Sequence, residues 1–119
     1  MSSYLIDPRE RAVFSPAKAT KVDLARGSQL FVGLNCFEPG QSQPVHTHRG
    51  ADKFYLIVSG KARMIVGAEE SVAESGDLVW APAEVPHGVA EALERTVMLV
   101  AIAPAPGSGD QRAEAARAP

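Results

Sequence analysis

Apolar residues along the chain come in short runs rich in Val, Ile, Leu and Phe, separated by Gly, Pro, Ser or acidic clusters. That is the punctuation of a small all-β domain. Residues 29–37, QLFVGLNCF, predict a strand stopped by Pro39-Gly40, and residues 53–75 predict two hairpins in series with turns at Ser59-Gly60 and Gly67-Ala68. GDLVWAP and HGVAEA add two strands, and RTVMLVAIA, residues 95–103, is apolar enough to be covered on both faces. Upstream, RAVFS and TKVDL predict short edge strands, because Pro8 and Pro16 cannot donate to a ladder. About nine or ten strands at this spacing predict a closed β-barrel or a two-sheet jelly roll, since an open sheet that wide leaves edges to hide. The pattern alone does not choose between them.

The pattern stops at Pro104. Residues 104–119 are Pro, Gly, Ala and charge with no large apolar side chain to bury, which predicts a flexible C-terminal tail after a single domain at 1–103. Within it, DQRAEAARA has the composition for a turn or two of helix behind an Asp110 cap. A net charge of −2 offers no cationic face to nucleic acid or an anionic membrane, so neither is an expected partner. The chain shows no charged-then-apolar leader and no apolar run of the ~18–20 residues that spans a bilayer, and the expected location is cytoplasmic. A lone Cys36, with no second cysteine to pair with, agrees with a reducing compartment.

Candidate chemistry comes from the three histidines, His46, His48 and His87. Residues i and i+2 of a strand face the same side, so His46 and His48 project into one space if Val45 to His48 is extended. Pro44 and the β-branched Thr47 favour extension. A His-x-His pair alone is more often a solvated or hydrogen-bonded surface feature, but GDLVWAPAEVPHGV brings His87 onto a later strand after a Pro-bounded loop, as a remote third ligand requires.

At these residues the sequence resembles the cupin family. The first motif of that family runs glycine, five residues, His-x-His, three or four residues, glutamate, six residues, glycine. Here Gly40 is followed five residues on by His46-Thr47-His48, four residues lead to Lys53, and six more to Gly60. In the second motif, Gly76, Pro82 and His87 keep the family's spacing, while Glu84 replaces a glycine and Glu91 an asparagine. Fifteen residues separate Gly60 from Gly76, similar to the short connection of small single-domain members. The resemblance implies a cupin jelly-roll β-barrel (a double-stranded β-helix), the three histidines pointing into its cavity, a divalent metal ion (Fe, Mn, Ni, Zn or Cu) and, commonly, a homodimer.

The departure is Lys53, where the family pattern places the glutamate that completes a three-His, one-carboxylate site. Asp52 is one residue off, and a one-residue shift on a strand sends its side chain to the opposite face unless a bulge at Gly50-Ala51 resets the register. An ammonium about 5 Å from a divalent ion held by neutral imidazoles is repelled by roughly 6–7 kcal/mol at an effective dielectric near 20. The repulsion has four remedies: a neutral lysine, a stem that swings out to Glu38 or Glu91, an anion between lysine and metal, or no metal. Three histidines with open positions remain a competent site. The expectation is a metal on His46, His48 and His87, with Lys53 beside it as a cation that receives an anionic substrate, its nitrogen outside coordinating distance.

Tyr55 and Ile57 share a strand face with Lys53 and are expected to line the same cavity, Tyr55 as a ligand contact or proton donor, unless its hydroxyl is simply satisfied in the core. Gln41 and Gln43 read as loop polar groups or extra oxygen ligands, Cys36 as a small buried hydrophobe, and Met64, Trp80 and Met98 as core or dimer face. Two functional readings remain open. One is a small metalloenzyme of oxygenase, isomerase or lyase type, with Lys53 and Tyr55 as catalytic candidates; the other is a non-catalytic module that binds or senses a small molecule in the same cavity. A third, a structural protein whose site has decayed, sits poorly with three retained histidines.

Overall fold

The computed structural model describes residues 4–107. Nine strands and one short helix are found among them: α1 (Pro8–Arg11), β1 (Thr20–Arg26), β2 (Phe31–Phe37), β3 (Gln43–His46), β4 (Asp52–Ser59), β5 (Lys61–Val66), β6 (Glu69–Glu74), β7 (Leu78–Ala81), β8 (His87–Ala92) and β9 (Thr96–Ala103). They form two antiparallel sheets, β1-β2-β9-β4-β7 and β3-β8-β5-β6. This is the jelly-roll solution: two sheets face each other around one core, and they do not close into a continuous barrel. No helix among the described residues is long and apolar enough to cross a membrane.

Alternation sets which face is buried. Along β4, Lys53, Tyr55 and Ile57 are buried while Phe54, Leu56 and Val58 are half-buried. The inward residues Phe37, Tyr55, Ile57, Met98 and Val100 of the larger sheet meet Ala62, Met64, Ala73 and Val89 of the smaller one. On the outer face of the larger sheet, Leu34, Cys36 and Val97 are sealed by Ala12, Phe14 and Leu24. Cys36 is thus the buried hydrophobe of that outer layer, and burial pushes its thiol pKa up.

Three sequence expectations change. First, RAVFS is not a strand: Asp7 caps α1 by accepting from Arg9 N at 3.0 Å, with Pro8 in the first turn, and the chain after it lies over the sheet as a cover. TKVDL does form the edge strand β1. Second, only one of the two expected hairpins exists. Gly67, at φ +61°, turns β5 into β6, but β4 pairs with β7 and β9, not with β5. Gly60 is the corner where the chain changes sheets. A Cβ there would lie 2.3 Å from Arg95 O and 2.5 Å from Thr96 Oγ1, and the Thr96 hydroxyl ties the corner by accepting from Lys61 N at 3.1 Å and donating to Glu94 O at 2.8 Å. Third, the chain stays packed just past β9: Ala105 is buried with Phe31, Ala51 and Ile102. The expected Asp110-capped helix lies outside the described residues.

Candidate metal centre

Pairing of β3 with β8 builds the centre. His46 and His87 are direct cross-strand partners, so their side chains leave the sheet on the same face. This close approach depends on Gly88, where a Cβ would lie 2.8 Å from Gln43 O, 3.0 Å from Pro44 O and 3.0 Å from Val45 Cα. The strand expected to carry both residues of the His-x-His pair ends at His46, and His48 sits in the segment that follows. That segment is held by Glu84 N, which donates to His48 O at 2.9 Å. All three rings still converge, with centroids 4.5–5.3 Å apart, and one potential ligand atom from each lies within 4.8 Å of the others.

Backbone carbonyls set the ring tautomers. His46 Nδ1 donates to Pro44 O at 2.9 Å and His87 Nδ1 to Val85 O at 2.9 Å. A carbonyl only accepts, so the proton of each neutral ring sits on Nδ1 and the lone pair on Nε2. Both Nε2 atoms are buried without a hydrogen-bond partner. Burial pulls the His87 pKa down to about 4, and that of His46 in the same direction, against the opposing effect of those backbone bonds. Neutral imidazoles with inward lone pairs are the donor set that divalent ions such as Zn, Fe, Ni and Cu accept, and carbonyl support on the second ring nitrogen is the usual way such ligands are oriented. The residues fit a metal.

Of the four remedies for the Lys53 charge, burial favours one. Lys53 is 1% exposed, and desolvation, with the charge of Lys21 second, holds its pKa well below the ordinary lysine value. Its Nζ lies 4.3 Å from the centre of the Tyr55 ring. It does not snorkel outward: Glu38 is engaged by Arg95 at 3.1 and 3.2 Å, and Glu91 is exposed on β8. Asp52 points away as the strand period requires, its Oδ1 accepting from Ala83 N at 2.9 Å.

Tyr55 is fully buried, and its hydroxyl donates to Gln43 Oε1 at 2.8 Å. Desolvation raises its pKa beyond the usual phenol range, which keeps the proton in place. Gln41 is a brace: its Nε2 donates to Ser15 O at 2.8 Å and its Oε1 accepts from Glu38 N at 2.8 Å.

A cavity of about 540 Å³ opens beside His46, within the range of small-molecule sites. It is lined by Lys18, Lys21, Asn35, Phe37, Gln43 and His46 among others. Lys53, Tyr55 and Ile57, expected on its wall, are buried and are not among the residues that line it. Sequence reading missed Lys21 and Asn35. The only signal for Lys21 was its place on an edge strand, and which strand it would pair with was not readable.

The surroundings differ from the family pattern at Glu84, which occupies the glycine position. Its φ is +72°, a left-handed conformation that costs a β-carbon-bearing residue roughly 1–2 kcal/mol. Its carboxylate Oε2 accepts from Gly50 N at 2.6 Å, so the strained residue clasps both ends of the segment carrying His48.

Comparison with known proteins agrees with this fold. An uncharacterised protein of Streptomyces coelicolor is 32% identical over 79 residues, covering 66% of this chain and 74% of its own. The crystal structure of TT1209 from Thermus thermophilus superposes with a TM-score of 0.80 at 35% identity, covering 84% of this chain and 96% of that one. An RmlC-like cupin from Desulfovibrio desulfuricans superposes with a TM-score of 0.73 at 25% identity, covering 87% of this chain and 96% of its own. Residues 33–103 match the family described as the cupin domain, which is more than half of the chain, and the protein belongs to that family.

Proposed function

We propose that the protein is a small metalloenzyme of the oxygenase, isomerase or lyase type, in which His46, His48 and His87 hold one divalent ion beside a cavity that takes a small anionic organic molecule. The observation that carries this reading is the pair of Nδ1-to-carbonyl bonds at His46 and His87, which leave two buried Nε2 lone pairs aimed at one place. A bound ion supplies Lewis acidity or activates oxygen. The chain supplies the rest: Pro44 and Val85 carbonyls hold the rings, Gln43 holds the Tyr55 proton, and burial holds the Lys53 pKa well below the ordinary lysine value, which weakens its charge against the ion. Lys53 and Tyr55 act as catalytic groups only if the ligand reaches beyond the residues that line the cavity.

That last condition favours a second reading, a non-catalytic module that binds or senses the small molecule, because neither candidate acid-base group lines the cavity. Two measurements decide. Metal content of protein purified without a nickel column is compared with that of a His46→Ala, His48→Ala double variant; equal content defeats the metal centre. Protein reconstituted with Fe(II), Mn(II), Ni(II), Zn(II) or Cu(II) is then assayed for oxygen uptake with phenols, diketones and thiols. Saturable uptake with one metal supports the oxygenase form, and a ligand-dependent gain in thermal stability without turnover supports the binder.

A homodimer belongs to the same proposal. Trp80 and Leu78, on the edge strand β7, are 53% and 57% exposed and continue across β4 as Phe54 and Leu56, an apolar sheet face that a second copy would cover. Sedimentation of Trp80→Glu protein tests it: loss of a wild-type dimer supports this face, and an unchanged mass excludes it.

A further inference from the structure

Asn35 is 1% exposed, yet neither its Nδ2 nor its Oδ1 makes a hydrogen bond. A buried amide left unsatisfied forfeits its hydration without a return, and buried polar side chains are seldom left so without a functional reason. This one stands on the wall of the cavity that also contains His46. Its direct cross-strand partner is Lys21, on the same face of the β1–β2 pair and in the same cavity wall. Side chains so paired have Cβ atoms about 4.5–5.5 Å apart. Lys18 adds a second cation, and none of the residues lining the cavity is acidic.

We propose that Lys21 and Asn35 form the recognition subsite of this cavity, and that its ligand is a hydroxycarboxylate, with the carboxylate on the Lys21 ammonium and the hydroxyl on the Asn35 amide. The amide offers a donor and an acceptor. A bare carboxylate only accepts and would leave Oδ1 unmatched, whereas a hydroxyl can accept from Nδ2 and donate to Oδ1. An amine would also match the amide, but the lysines repel it. A hydroxyl on the carbon next to the carboxylate, or one further along, spans the distance between two paired side chains. Lys53 was the expected anion receiver; the cavity wall gives that task to Lys21, because Lys21 lines the cavity and Lys53 does not. The inference rests on the cavity being a ligand site, as proposed above, and not on the presence of the metal.

Three probes of matched shape test it: mandelate, phenylacetate (no hydroxyl) and mandelamide (no carboxylate). Their binding is measured by calorimetry on the full chain, metal-loaded and metal-free, so that chelation of an ion by mandelate is separated from the subsite. Wild type should bind mandelate about tenfold tighter than either analogue in both states. Asn35→Leu should erase the preference over phenylacetate and keep that over mandelamide; Lys21→Met should do the reverse. Lys21 is exposed on an edge strand, so its variant remains informative if Asn35→Leu fails to fold, and Asn35→Asp, nearly the same size, should reject mandelate. Equal binding of the three probes by wild type, no binding of any, or unchanged preferences in both variants overturns the proposal. Metal content reports separately: a chain that binds one ion but shows no such preferences loses the subsite and keeps the metal centre, and the opposite result does the converse.

Discussion

Replacing Gly88 with alanine should damage the centre without touching a ligand. The added methyl would sit 2.8 Å from Gln43 O and 3.0 Å from both Pro44 O and Val45 Cα, all backbone atoms of β3 that cannot rotate away. Strand β3 must therefore retreat by several tenths of an ångström, at the roughly 1–3 kcal/mol typical of overpacking. The Pro44 carbonyl is the group that orients His46, so the retreat moves His46 away from His87 and loosens its tautomer lock. Disturbing such support typically lowers metal affinity about 10–100-fold, or about 1.4–2.7 kcal/mol. Zn(II) titration against a competing chelator gives the affinity, and urea unfolding of metal-free protein gives the stability. Gly76→Ala is the control: Gly76 has φ +94° with nothing within 4 Å of the added methyl, so it should lose about 1 kcal/mol of stability and no affinity. If Gly88→Ala binds Zn(II) as tightly as wild type, or loses no more affinity than Gly76→Ala, the argument from strand approach is wrong.

Other consequences follow from the same geometry. For metal-free protein, the folded pKa of His87 is about 4 and the unfolded value about 6.5. The unfolded chain thus binds more protons in between, and stability should be complete above pH about 6.5 and fall toward pH 4 by at most about 1.4 kcal/mol per unit from this residue, less as water enters the cavity. His46 shifts the same way; a flat urea midpoint between pH 7 and 4 contradicts this. Lys53 is depressed from its ordinary value, so its contribution rises with pH up to about 10. Lys53→Met should remove that rise, and an unchanged pH dependence of the urea midpoint in the variant would show that Lys53 is not its source. Glu84→Ala should lose about 1–2 kcal/mol, because it keeps the left-handed conformation and loses the bond to Gly50. Glu84→Gly should lose less, and the reverse order in thermal unfolding would refute the clasp.

Local patterns were legible in the chain, and long-range pairing was not. The two-residue period placed Lys53, Tyr55 and Ile57 inward and Asp52 outward, because side-chain direction is fixed within a strand. The spacing of His46, His48 and His87, with its likeness to the family motif, picked out three rings that converge, even though His48 falls beyond the end of β3. The sheet change at Gly60 read as a hairpin because a positive-φ glycine between strands looks the same in either role, and only the contact with Arg95 and Thr96 separates them. RAVFS read as a strand from its alternation, which served to cover the outer face of the sheet. Lys21 and Asn35 stayed hidden because their meeting depends on the β1–β2 register, set by tertiary packing. Glu84 was noticed as a departure, but its clasp on the His48 segment required coordinates.

Anomalous X-ray scattering from crystals of the protein grown with Co(II) or Zn(II) tests the central claim most directly. The account predicts one ion per chain, bonded at about 2.0–2.1 Å by ring nitrogens of His46, His48 and His87, with the Nδ1 atoms of His46 and His87 still on the Pro44 and Val85 carbonyls. An ion seated elsewhere, or a His87 ring turned out of the cluster in its presence, would contradict it.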